Sequence, residues 1–119
     1  MRKLFLITVL VAAGSLSGAA ADDDGDGSNW GKIKEVYVDA AGTVLRVDFS
    51  RTPVNPSKCE GADFYIRELD NSPASDRFVK TVVAAHLANR KVKFWINGCS
   101  KHRWWGKTQP QFIDMYIGD

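Results

Sequence analysis

ADFYIRELDNSPASDRFVKTVVAAHLANRKVKFWIN, residues 62–97, decides the fold, because it reads as a strand, a capped helix and a second strand in succession. Ala62–Leu69 is rich in aromatic and β-branched residues, and Phe64 and Ile66 are expected to form its inward pair. Asp70-Asn71-Ser72-Pro73 reads as a helix start. The Ser72 hydroxyl can accept from an orphan backbone N–H, and Pro73 lacks the N–H that would go unsatisfied at the first helical position. Phe78, Val79, Val82, Val83, Ala85 and Leu87 then recur at helical spacing and give one apolar stripe. Asn89 supplies a left-handed stop. Lys91–Asn97 alternates again, with Val92, Phe94 and Ile96 on one face and Lys91, Lys93 and Trp95 on the other.

Upstream, Gly31–Asp39 and Val44–Ser50 flank the turn Ala41-Gly42 and predict a hairpin. Leu45, Val47 and Phe49 face inward, and Arg46 and Asp48 outward. The first of these strands alternates poorly, since Ile33 and Tyr37 share a face with Glu35 and Asp39, so a bulge or strong bend is expected there. Pro53 and Pro56 mark an irregular connection. Downstream, a loop over 99–111 leads to a last strand, Phe112–Ile117, with Ile113, Met115 and Ile117 together. The order β-β-β-α-β-β makes the chain mainly β (α+β). It fits a five-stranded OB-like Greek-key barrel whose helix plugs one end. A different small α+β sheet fits the same order.

The amino end predicts a compartment. Arg2 and Lys3 precede the apolar run Leu4–Ala13, and Ala19-Ala20-Ala21 places small residues before Asp22, the pattern of a cleaved signal peptide over 1–21. The run is shorter than the roughly 20 residues a membrane span needs, so no transmembrane anchor is expected in the mature protein. A secreted or periplasmic location follows. Residues 22–29 read as an acidic disordered leader and 30–119 as the domain. The chain has 16 basic and 14 acidic residues. Removing Arg2 and Lys3 balances it at 14 against 14, and setting aside Asp22, Asp23, Asp24 and Asp26 leaves a body of net +4. That charge, with export, opposes a nucleic-acid partner. Asp22–Gly27 resembles the start of a calcium loop, but its twelfth position is Ile33 instead of a bidentate Glu. It is read as a solubilising leader, and no metal site or cofactor is assigned.

Cys59 and Cys99 are the only cysteines, and in an oxidising compartment an isolated pair most simply forms one disulfide. The layout carries a resemblance. Gly31-Lys32-Ile33, a cysteine before Phe64-Tyr65-Ile66, a helix ending near Asn89-Arg90-Lys91-Val92 and a Gly98-Cys99 stop resemble small secreted bacterial OB-fold proteins of the AB5-toxin B-subunit type, the subtilase cytotoxin and pertussis-like group. The resemblance covers about Trp30 to Asp119. It implies a binding module, able to form a homo-oligomer, without catalysis of its own.

Ser100-Lys101-His102-Arg103-Trp104-Trp105-Gly106-Lys107 is the candidate ligand-binding loop. It joins the last two predicted strands, one of the loops that bind oligonucleotides and oligosaccharides in OB-folds. Indole faces stack on sugar rings or bases, while Lys101, Arg103 and Lys107 can hold anionic groups. Trp95, with Lys91 and Lys93, extends the same expected surface. The structural alternative is that Trp104 and Trp105 cover the end of a small barrel. Catalysis finds no support: His86 and His102 stand outside any nucleophile context, and neither a zinc-protease helix motif nor a phosphate loop is present. The expected function is recognition of a glycan or a protein surface. The alternative is an oligomeric accessory subunit or inhibitor that uses the same loop as an interface.

Overall fold

The computed structural model describes residues 25–119, so the expected signal peptide and Asp22–Asp24 of the leader lie outside the described residues. The elements are β1 (Asp26–Gly27), β2 (Ile33–Val38), β3 (Val44–Phe49), β4 (Tyr65–Glu68), α1 (Pro73–Leu87), β5 (Val92–Cys99) and β6 (Pro110–Ile117). They form a mainly β fold with one helix and a single mixed sheet of six strands, in the order β1-β5-β6-β4-β3-β2. All neighbours are antiparallel except β4 and β6, which meet in parallel at Ile66 and Gln111.

The expected count of five strands is corrected by β1. Asp26 pairs with Ile96 and Gly27 with Trp95, so ordered structure begins before Trp30. Ser28 is buried; its N–H donates to the Phe94 carbonyl at 2.8 Å and its hydroxyl accepts from the Phe94 N–H at 2.9 Å. Gly25, one of the glycines that make this stretch look unstructured, is required by the close approach of β5. A Cβ on Gly25 would stand 2.3 Å from the Ile96 carbonyl oxygen, and one on Gly27 would meet the Trp95 ring at 3.7 Å. Gly31 continues the contact: its N–H donates to the Val92 carbonyl at 2.9 Å, and the Val92 N–H returns to Gly31 at 2.8 Å. The chain changes partner, from β5 to β3, between Gly31 and Ile33, and the irregularity that the poor alternation predicts follows between Ile33 and Glu35.

Helix α1 starts as its sequence dictates. The Ser72 hydroxyl accepts from the Ser75 N–H at 3.1 Å, Pro73 occupies the first turn, and Asn89 stops the helix at φ 54°. His86 Nδ1 lies 3.0 Å from the Ile33 carbonyl, which ties the helix to the start of β2. Val82 and Ala85 are buried beside Ile33, Leu45, Val47, Phe49, Tyr65, Val92, Phe94, Ile96 and Phe112, with Phe78, Val79 and Met115 packed against them. Leu87, expected on the apolar stripe, is instead 78% exposed.

Two inward assignments shift by a residue. In β4 it is Tyr65 that joins the core, while Phe64 lies on the opposite face. In β6 Phe112 takes the place of Ile113 in the core, because the register shifts between Trp95 and Ile96; Met115 and Ile117 stay on one face, opposite Phe94 and Val92, although Ile117 at the strand's end is 43% exposed. A one-residue offset exchanges the faces of a strand. Cys59 and Cys99 are disulfide-bonded with Cα atoms 5.6 Å apart, joining the segment before β4 to the end of β5. Among the described residues no helix is long and apolar enough to cross a membrane.

Candidate binding site on the β5–β6 loop

The loop folds back over the outer face of β3 and β4 and builds a second, mixed layer there. Val44 and Ile66 are fully buried yet stand outside the main core cluster. Gln109 is buried with them. Its Oε1 accepts from the Asp63 N–H at 3.2 Å and its Nε2 donates to Asp63 Oδ2 at 3.2 Å, which ties the loop's return to the start of β4.

Two carboxylates anchor the loop. Glu68, at the end of β4, accepts from the backbone N–H groups of Lys101 at 2.7 Å and His102 at 3.0 Å, from Trp104 Nε1 at 3.0 Å, and lies 2.8 Å from His102 Nδ1. Burial works to raise the Glu68 carboxyl, but these donors outweigh it and hold it below the ordinary glutamate range. Glu60 forms a bidentate pair with Arg103 and accepts from the Thr108 N–H at 3.0 Å; the Arg103 hydrogen bond is the main reason its carboxyl is also lowered.

At the tip, Trp104 and Lys107 bridge across Trp105 (φ 56°) and Gly106 (φ 87°). Two consecutive central residues at positive φ mark a type I′ turn, where Asn-Gly is the ordinary choice. A tryptophan in the first of these positions is a backbone outlier costing on the order of 1 kcal/mol. Trp105 is nonetheless 50% exposed, so burial of the ring does not explain it. What holds it is a platform on the sheet. The ring stands 5.3 Å from those of Tyr37 and Phe64, edge to face, and 4.7 Å from the Arg46 guanidinium. Arg46 also lies over Phe64 at 5.0 Å and Tyr37 at 5.5 Å, and it ion-pairs with Glu35 at 2.6 Å and Asp48 at 3.3 Å. Burial is the main cause raising the Asp48 carboxyl, with Arg46 opposing it.

Adjoining clefts run from this tip. One of about 230 Å³ is lined by Tyr37, Asp39, Val44, Trp104 and Trp105. A larger one, about 630 Å³, lies between Thr43, Glu68, Asp70, Lys101, His102, Trp104 and Gln111. Their carboxylates are already engaged. Asp39 accepts from Thr43 and Val44, and Asp70 is held down to about 2 by donors from Ser72 and Ser75.

Of the residues expected to bind ligand, Trp104, Trp105 and Lys101 line these clefts. Arg103 is committed to Glu60, and Lys107 lies over Gly61, where a Cβ would meet its Cδ at 2.7 Å. Trp95 belongs elsewhere, packed on Gly25 and Gly27 beside β1, and Lys91 and Lys93 turn to Trp30. The expected continuous surface is therefore two surfaces. Sequence reading misses Tyr37, Arg46, Phe64 and Glu68, because only the β2–β3–β4 register places them side by side. The chain matches no protein-family model, no curated protein and no solved structure.

Proposed function

We propose that this chain is a secreted, non-catalytic glycan-binding module built on an OB-like barrel, with Trp105 as the stacking platform. The observation that carries the reading is Trp105 itself: a half-exposed indole at positive φ, where Asn or Gly would be easier, supported from beneath by Arg46, Tyr37 and Phe64. Backbone strain maintained at an exposed, pre-positioned ring suits a surface that must present a flat apolar face. Trp104 and the ammonium of Lys101 flank the path a sugar chain would follow. The engaged state of Glu60, Glu68, Asp39 and Asp70 argues for binding over acid–base catalysis. The barrel reading is supported by the parallel β4–β6 pair and by the Gly31–Val92 hydrogen bonds, which join the segment entering β2, at one end of the sheet order, to β5, the strand next to the other end. Kinship with AB5 B subunits is part of the same proposal and rests on layout.

Trp105→Asn tests it. Asn is at home in the turn, so relief of strain offsets lost ring contacts and stability changes by about 1 kcal/mol or less. On a glycan array followed by fluorescence titration, the oxidised wild-type protein binds a sugar saturably, and the variant binds at least about tenfold more weakly. The reading is overturned if no glycan binds, or if Trp105→Asn unfolds the domain. Tyr37, 39% exposed next to Trp105, favours an assembly interface as the second reading. A mass that rises with protein concentration, and falls to monomer in Trp105→Asn, would select it.

A further inference from the structure

A second cluster of aromatic and cationic side chains lies around Trp30, separate from the loop. Five cations gather there from distant parts of the chain. Lys91 and Lys93 place their ammoniums over the Trp30 ring at 5.4 and 5.3 Å, and Lys93 also lies 4.9 Å from the Tyr116 ring. Arg51 Nη1 donates to the Trp30 carbonyl at 3.3 Å, Lys32 Nζ to the Asn89 carbonyl at 2.7 Å, and Arg90 Nε to the Gly118 carbonyl at 3.1 Å. Among the described residues none of the five forms an ion pair; the carboxylate pairs of this fold fall on Arg46, Lys80, His102 and Arg103. Asp114 and Asp119, the acids nearest along β6 and beyond it, pair with none of them.

Apolar surface accompanies this charge. Trp30 is 38% exposed and Tyr116 48%. Ile117 pairs with Val92 on the other face of β6 and lines a groove beside the helix with Ala84 and Arg90, so it is not part of this surface. The Trp30 and Tyr116 faces are occupied by ammoniums, so they are poorly placed to stack on nucleic-acid bases. A soluble polyanion would account for the cations and leave the exposed Trp30 and Tyr116 rings without a role. Uncompensated Lys and Arg beside half-exposed Trp and Tyr together match one surface, that of an anionic bilayer.

We propose that the face formed by Trp30, Arg90, Lys91, Lys93 and Tyr116 docks on anionic lipid headgroups. The rings seat at the headgroup level, and the cations meet lipid phosphates. The proposal does not depend on glycan binding by Trp105, which lies on a different surface.

The test is cosedimentation of the oxidised protein with vesicles of 30% phosphatidylglycerol in phosphatidylcholine, against pure phosphatidylcholine. Wild type partitions at least about tenfold more strongly onto the anionic vesicles, and the difference collapses as salt is raised. Lys91→Glu/Lys93→Glu abolishes the preference. Lys34→Glu/Lys58→Glu changes net charge equally at exposed lysines elsewhere and keeps most of it. Lys91→Gln/Lys93→Gln, a milder change, lowers partition about tenfold and serves if charge reversal impairs folding. Equal partition onto both vesicle types overturns the proposal. So does equal loss in the two charge-reversal variants, or binding to dextran sulfate or single-stranded DNA without vesicle binding.

Discussion

The molecule carries two aromatic–cation clusters that use the same side-chain chemistry to different ends. Around Arg46, three rings enclose one guanidinium whose side chain is only 15% exposed, and two carboxylates neutralise it. Around Trp30, one indole carries two ammoniums that pair with no carboxylate among the described residues. A buried cation needs its counter-charges, and once it has them it becomes a fixed part of the scaffold. An exposed cation on a ring keeps its charge available to something else. The first cluster is therefore a mount for Trp105, and the second is a surface in its own right.

The disulfide offers the largest lever on this contrast. It secures the base of the loop face, and no covalent link holds the Trp30 face. Closing a loop across a sequence separation of 40 residues stabilises the fold by about 4 kcal/mol in the chain-entropy model. Cys59→Ser/Cys99→Ser is expected to lose that much in urea unfolding. Under native conditions, amide exchange should quicken first over residues 98–109 and leave Ser28, Gly31 and Phe94 protected. Uniform loss of protection would show that the two faces unfold as one unit.

Arg46→Ala and Lys93→Ala test the contrast directly. Removing Arg46 strips support from three rings and leaves Asp48 half-buried beside Glu35 without a counter-charge, for a loss of about 2 kcal/mol. Glu35 is 60% exposed, which keeps the loss below that of a fully buried pair. Removing Lys93 costs about 0.5 kcal/mol, as for an exposed cation–π contact. Equal losses in chemical denaturation would erase the distinction between mount and surface.

Much of the frame is legible in the chain: the hairpin, the bulge near Ile33, the Ser72-Pro73 start, the Asn89 stop and the inward set Val92, Phe94 and Ile96 all follow from local chemistry. What escapes is whatever depends on pairing. Asp26–Gly27 reads as solvent-exposed leader because nothing local announces that a strand will accept glycines against Trp95. Phe64 reads as core because apolar character does not tell which face a strand buries, and here both faces are covered, one by the main core and one by the loop. The Trp105 side of the site is visible as an aromatic loop. Its mount is not, since Tyr37, Arg46 and Phe64 come from three strands and meet only in register. The Trp30 cluster is dispersed over residues 30–116 and so leaves no charge run to notice.

Glu68 sharpens the comparison through pH. Its carboxylate holds the loop by accepting from Lys101, His102 and Trp104, and nothing equivalent holds the Trp30 face. Because its folded-state pKa is lowered, the unfolded chain takes up the proton first. The stabilisation is then fully present above the ordinary glutamate pKa, about 4.3, and is lost as pH falls through the lower folded value. Glu68→Gln removes the charge while keeping the shape, so it should cost about 1 kcal/mol at pH 7 and progressively less below pH 4. Glu60, Asp39 and Asp70 titrate in the same acid range, so the quantity to follow is the wild-type minus variant difference in unfolding free energy between pH 3 and 7. Tryptophan fluorescence should report release of the Trp104 indole in the same window. A difference that stays constant across that range would mean that Glu68 fills space in the loop's base without tethering it through charge.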